Sequence, residues 1–137
     1  MTTTPVEVDV DPLEDPAAFF WRECGRSAFW LQHCGDCEKW QYYPRHLCSH
    51  CWSRKLTWRR PSGLAVVETF SVVHRGSGAF ADLTPYTVAL VRLAEGPTMM
   101  TNIVDVDPDR VEIGLEVQLD FARRGDRVLP VFRVRGR

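Results

Sequence analysis

This sequence of 137 residues predicts a mainly β fold in three parts: a short N-terminal helix, a four-cysteine metal ribbon and a five-stranded barrel. Three observations carry that expectation. Two Cys-x-x-Cys pairs, Cys34/Cys37 and Cys48/Cys51, stand with ten residues between them. Asp15-Pro16 opens a short apolar run, and from Gly63 onward β-branched segments alternate with turn residues. The parts divide the chain at 1–28, 29–60 and 61–137.

The helix comes first. Asp15 is a capping residue, Pro16 suits the first helical position and Gly25 is a stop, which leaves about two turns between them. Ala17, Phe20, Trp21 and Cys24 share one face, and Phe19 adds a ring on the other. Two turns are marginal in water, so the helix must dock, either on its own ribbon or on a partner subunit. Phe19, Phe20 and Trp21 are therefore candidate partner contacts. Cys24, on the apolar face, reads as a small buried hydrophobe.

The ribbon segment is too small to bury a core and needs a cross-link. Cys34, Cys37, Cys48 and Cys51 supply four soft thiolates to one tetrahedral ion and leave no coordination position open for chemistry. One structural zinc is the expected cofactor. Iron suits four thiolates as well, but Glu38 and Trp52 stand where iron knuckles usually carry glycine. The chain start, MTTTPVEVDVDPLEDP, is acidic without an apolar h-region, and no run is long enough to span a bilayer. A reducing, cytoplasmic setting follows as an expectation, and there paired cysteines bind metal rather than each other. The intervening EKWQYYPRHL has room for two short strands and a turn, with Trp40, Tyr42 and Tyr43 as strand formers and Pro44 as a break. His33, His46 and His50 are expected as solvated neighbours or as donors behind the ligands.

The last part holds five strand-like segments: GLAVVETFSVVH, YTVALVRL, PTMMTNIV, LEVQLDFA and VLPVFRVR. Their number and link lengths fit an OB-type barrel better than a sandwich of about seven strands. Barrels of this type use the loop after the first strand for contacts, which here is Arg75–Pro85 with Ala79-Phe80-Ala81 at its centre. Phe80 is a further candidate partner contact. A net charge of -1 argues against a dedicated nucleic-acid binder. The second and third strands offer Tyr86 alone as a stacking ring, so a single-stranded nucleic-acid module is the alternative reading, not the leading one.

The order of short motifs is more specific than any of them. Cys34-x-x-Cys37, Tyr43-Pro44-Arg45, Cys48-x-x-Cys51, Trp58, Ser62-Gly63, Pro85-Tyr86, Glu95-Gly96, Gly114-x-x-Val117-x-x-x-Phe121 and Leu129-Pro130-x-Phe132 follow one another along nearly the whole chain. This succession resembles the acyl-CoA-associated family of a rubredoxin-like zinc ribbon joined to an OB-fold, once catalogued as a domain of unknown function. Glu38, Tyr43, Ser49 and Ala65 depart from its pattern, and none of them is a cysteine. The resemblance implies a non-catalytic subunit in a hetero-oligomer with a thiolase-superfamily protein: a thiolase, an acyltransferase, or a lipid-transfer-protein-type aldolase that cleaves steroid side-chain CoA thioesters. It implies acyl-CoA bound through the complex.

The residues agree with that expectation. An enzyme of thiolase type needs an activated nucleophile, whereas the paired thiolates are committed to metal, Cys24 has no base beside it and His74 stands alone. CoA carries phosphates, which arginine forks pair well. Arg123, Arg124 and Arg127 around the last turn are the candidate CoA contacts, and Arg54, Lys55, Arg59 and Arg60 form a second basic cluster.

Overall fold

Asp15 accepts a hydrogen bond from the Ala17 N–H at 3.1 Å, which fixes the start of helix α1 (Pro16–Cys24), and Gly25 closes it. The computed structural model describes residues 7–136; residues 1–6 of the expected N-terminal tail lie outside the described residues. The tail's next stretch is not a tail. Glu7–Asp9 forms strand β1 at the edge of a four-stranded antiparallel sheet whose order is β1-β4-β2-β3, with β2 at Leu31–Cys34, β3 at Trp40–Gln41 and β4 at Leu56–Arg59. An Arg59–Glu7 ion pair at 2.7 Å ties β1 to β4.

The ribbon corrects one expectation. Of the two strands expected between the knuckles, a single short one, β3, is formed, and the other strands lie outside the cysteine pairs. Two buried amides explain why. Gln32, on β2, donates to the Arg45 carbonyl at 2.7 Å and accepts from the Arg45 N–H at 2.8 Å. Gln41, on β3, donates to Gln32 at 2.7 Å and to the Leu47 carbonyl at 3.3 Å, and accepts from the Ser49 N–H at 2.8 Å. Backbone groups that a second strand would pair are satisfied by side chains instead, so the segment around Pro44 folds as a loop.

From Leu64 the five expected strands appear: β5 (Leu64–Val73), β6 (Tyr86–Leu93), β7 (Thr98–Val104), β8 (Glu116–Arg124) and β9 (Arg127–Val134). They close into a barrel of order β5-β6-β7-β9-β8, antiparallel except for the β7–β9 pair. Short 3-10 turns at Gly78–Leu83 and Pro108–Arg110 fill the links after β5 and β7. A bulge between Val67 and Thr69 bends β5, the strand that joins both β6 and β8.

One core runs through helix, ribbon and barrel. Phe20, Cys24, Phe29, Trp30, Leu31 and Trp58 pack in the same cluster as Val67, Val91, Met99, Val117 and Phe132. The helix therefore docks on its own chain, its Phe19 ring stacked on Trp58 at 4.5 Å. Phe20 is 1% exposed and belongs to this core, so its ring is not free for a partner as expected. Among the described residues no helix is long and apolar enough to cross a membrane. Because the parts share packing, Trp58→Ala is expected to lower unfolding free energy by about 3–5 kcal/mol in urea denaturation. Ribbon and barrel signals should still melt together.

Candidate functional site

The two knuckles bring their sulfurs together. The Sγ atoms of Cys34, Cys37, Cys48 and Cys51 all lie within 4.8 Å of one another, with Cys34–Cys51 and Cys37–Cys48 each at 3.6 Å. A tetrahedron with metal–sulfur bonds of ~2.3 Å has edges of ~3.8 Å, so this set fits one ion. Strand β2 delivers Cys34, and a turn closed by the Glu38 N–H on the Cys34 carbonyl at 2.9 Å delivers Cys37. The second knuckle repeats that bond from Trp52 to Cys48, also at 2.9 Å. Cys34 and Cys48 are buried, Cys37 is half-buried and Cys51 is exposed, so the cluster opens on one side.

The electrostatics of the four sulfurs are uneven. Burial opposes ionisation of Cys34, but N–H groups of Cys37 and Asp36 and the thiols of Cys51 and Cys37 favour its thiolate and bring it down to about 6. At Cys51 the Ser53 N–H pulls the other way from desolvation and the three neighbouring sulfurs, which together push it up to about 12. Four thiolates this close repel one another, and a divalent ion is what makes all of them compatible. The Ser53 hydroxyl, two residues past the second knuckle, donates to Asp36 inside the first, and Lys55 pairs with Asp36 at 3.5 Å. Of the nearby histidines, His46 and His50 are exposed. His33 is instead buried, its ring edge-on to Trp40 at 5.3 Å.

A second assembly forms at one end of the barrel. In the β8–β9 hairpin Arg124 faces Arg127 across the strands, whereas Arg123 alternates to the opposite face. The structure thus joins two of the three expected CoA contacts and sets the third apart. The Arg127 guanidinium lies 5.0 Å from the Trp21 ring centroid, and the Trp21 indole N–H donates to the Tyr43 hydroxyl at 2.8 Å. Beside the hairpin tip, a Cβ placed on Gly125 would stand 3.5 Å from Ala79 in the loop after β5. That loop carries Phe80, half-buried and 5.3 Å from Tyr86. Phe19, the remaining candidate, is covered on one side by Trp58 and has Arg22 over its ring at 5.3 Å. Cys24 is fully buried, and burial first, then Glu23, pushes its thiol up to about 12.

Sequence reasoning missed the two glutamines that set the inter-knuckle loop and the Trp21–Tyr43 hydrogen bond. Gln32 and Gln41 did leave a signal, as amides in strand segments between hydrophobic neighbours, but burial of both ends was needed to read it.

Comparison with known proteins bears on the same residues. Residues 21–57 match the ChsH2 rubredoxin-like zinc ribbon domain, and residues 58–122 match the ChsH2 C-terminal OB-fold domain. A DUF35 domain-containing scaffold protein of Methanothermobacter thermautotrophicus is 36% identical over 91 residues, which are 66% of this chain and 68% of the relative. The chain belongs to the DUF35/ChsH2 family. A "Probable enoyl-CoA hydratase alpha subunit" of Thermomonospora curvata is 34% identical over 116 residues. That match takes in 83% of this chain but spans 36% of the longer relative. The solved structure of an Ltp2-ChsH2(DUF35) aldolase contains a chain 32% identical, covering 91% of this chain and 98% of its own, with a TM-score of 0.78. A DUF35 protein of Sulfolobus solfataricus, 16% identical with a TM-score of 0.62 and 90% of each chain covered, shares the fold.

The four-cysteine cluster points to one metal ion as the cross-link of this ribbon. Cys34→Ser and Cys48→Ser are each expected to abolish stoichiometric zinc, read by elemental analysis, and to lose ribbon structure. A variant that holds no metal yet keeps full thermal stability would overturn the structural role.

Proposed function

We propose that this chain is a non-catalytic subunit that holds a thiolase-superfamily partner in the cytoplasm and helps seat that partner's acyl-CoA substrate. The observation that carries the reading is the likeness to the DUF35 chain of an Ltp2-ChsH2 aldolase over almost the whole length of both. Relatives described as scaffold proteins point the same way. The enoyl-CoA hydratase description favours a CoA thioester as the substrate class and the aldolase description an aldolase as the leading partner, and the motif resemblance adds steroid side-chain thioesters as its substrates.

The geometry supports a holding role. Zinc at Cys34, Cys37, Cys48 and Cys51 saturates the thiolates of the ribbon and supplies rigidity, not an open coordination site. The buried thiol of Cys24 is protonated at neutral pH and unreactive. The barrel end that gathers Trp21, Arg124, Arg127 and the Phe80 loop offers guanidinium groups for phosphate beside aromatic surface for a protein. Arg123, on the other face of the hairpin, is the weakest of the three CoA candidates. The nucleic-acid alternative lacks a row of rings on β6 and β7 among the described residues, and Tyr86 is already against Phe80.

Affinity purification of the chain from its native host, with mass spectrometry, is expected to recover a thiolase-superfamily protein in stoichiometric amount. Recovery of the chain alone and monomeric would defeat the proposal. In the recovered complex, the double substitution Arg124→Ala/Arg127→Ala should weaken acyl-CoA binding by about tenfold or more in calorimetry. Unchanged affinity would remove the hairpin from the CoA site and leave the scaffold role standing.

A further inference from the structure

Trp52 combines two unfavourable features that nothing among the described residues repays. Its φ of 67° lies in the left-handed region, where side-chain-bearing residues are strained and glycine is at ease. Its indole is 77% exposed. Among the described residues no ring stacks on it and no guanidinium covers it. The matching position of the first knuckle, Glu38, has the same backbone at φ 61° and carries an exposed charged side chain, an ordinary occupant of a surface. A large apolar ring held in a strained conformation and presented to water is the pattern of a contact residue, since tryptophan is enriched among the residues that dominate protein interfaces.

The surroundings indicate what it meets. Residues 45–55, RHLCSHCWSRK, contain no carboxylate in a chain of net charge -1. Lys55 is answered by Asp36. Asp36, Cys37 and His50 N–H groups donate to Cys34 and Cys48 at 3.4–3.5 Å, so part of the charge that four thiolates leave around a divalent ion is dispersed into the knuckle backbone. Arg45, His46, His50 and Arg54 are left exposed, and no carboxylate among the described residues pairs with Arg45 or Arg54. We infer that Trp52, flanked by His50 and Arg54, is an anchor for the thiolase-superfamily partner, inserting into an apolar socket rimmed by carboxylates. The inference rests on the scaffold reading and adds to it a site on the metal knuckle, beyond the hairpin end proposed above for CoA. The knuckle suits an anchor because two cysteines fixed to one ion hold the backbone on which the ring stands.

The test uses the full, zinc-loaded chain and the separately purified partner, with affinity measured by calorimetry at low and at raised salt. Trp52→Ala is expected to weaken binding by at least tenfold, and Arg54→Ala to weaken it less while flattening its salt dependence. Glu38→Gly, which relieves the same backbone strain at the other knuckle, should leave affinity unchanged. In the free chain Trp52→Gly should keep its zinc and melt no lower than wild type, since it removes strain and an exposed ring. Wild-type affinity in Trp52→Ala overturns the anchor while the scaffold reading survives. A Trp52→Gly chain that melts markedly lower also overturns it, because the ring would then serve its own fold. Failure of the wild-type chain to bind any thiolase-superfamily partner brings down the scaffold reading, and the anchor with it.

Discussion

Closure of two short knuckles around four sulfurs is the constraint on which the rest of the molecule depends. Around those sulfurs the chain has almost no apolar packing: the local cluster is Cys34, Cys48 and Leu56, with Val10 and Cys37 at its margin. Burial of so few side chains contributes only a few kcal/mol, far less than the ordering of some twenty residues costs. A bound ion reverses that balance, because structural zinc in small ribbons contributes about 10–16 kcal/mol of apparent binding free energy, all of it folding free energy. The opposite shifts of Cys34 and Cys51 are the electrostatic side of the same fact, since sulfurs this close do not ionise alike.

Inward from the clip, rigidity passes along specific contacts. The Gln32–Gln41 pair satisfies the loop that links the knuckles, and the loop in turn presents Tyr43 to the Trp21 indole. Trp21 carries Arg127 of the barrel hairpin over its face. A charged residue of the barrel hairpin is therefore placed by a helix, a loop and two buried amides of the ribbon. Buried amides of this kind are favourable only when every group is paired, which is the case for both glutamines. They fix one geometry where an apolar pair would permit several.

The barrel was legible in the sequence because its strands are long, β-branched and separated by turn residues, so each boundary fell within a few positions. The helix was legible from Asp15, Pro16 and Gly25, and the metal ligands from spacing alone. The ribbon's strands were not, because whether YYPRH extends or loops depends on Gln32, which approaches from an earlier strand. Strand β1 was missed for a related reason: three residues rich in carboxylates have little intrinsic strand signal, and they pair where Arg59 stands opposite Glu7 and Val8 packs against the core. The aromatic residues misled in a more instructive way. The helix rings Phe19, Phe20 and Trp21 read as partner contacts, but Phe20 joins Phe29, Trp30 and Trp58 in the joint between ribbon and barrel. A thin ribbon cannot supply enough aliphatic volume to fill that joint, and large rings do it with few residues.

Once those rings are assigned to the interior, the aromatic surface that remains is small and specific. Trp52 is exposed at the metal knuckle, Tyr43 is partly open, and Trp21 is half-covered by Arg127. They belong to parts of the chain that the ion or the buried amides hold fixed. The thiols of this chain are either gathered in the four-cysteine cluster or sealed in the core. A protein that holds another needs surfaces whose shape does not relax before contact, so that ordering is completed in folding and not charged against binding. The arrangement of this chain, with strain kept at an exposed tryptophan and rigidity supplied from beneath it, meets that requirement.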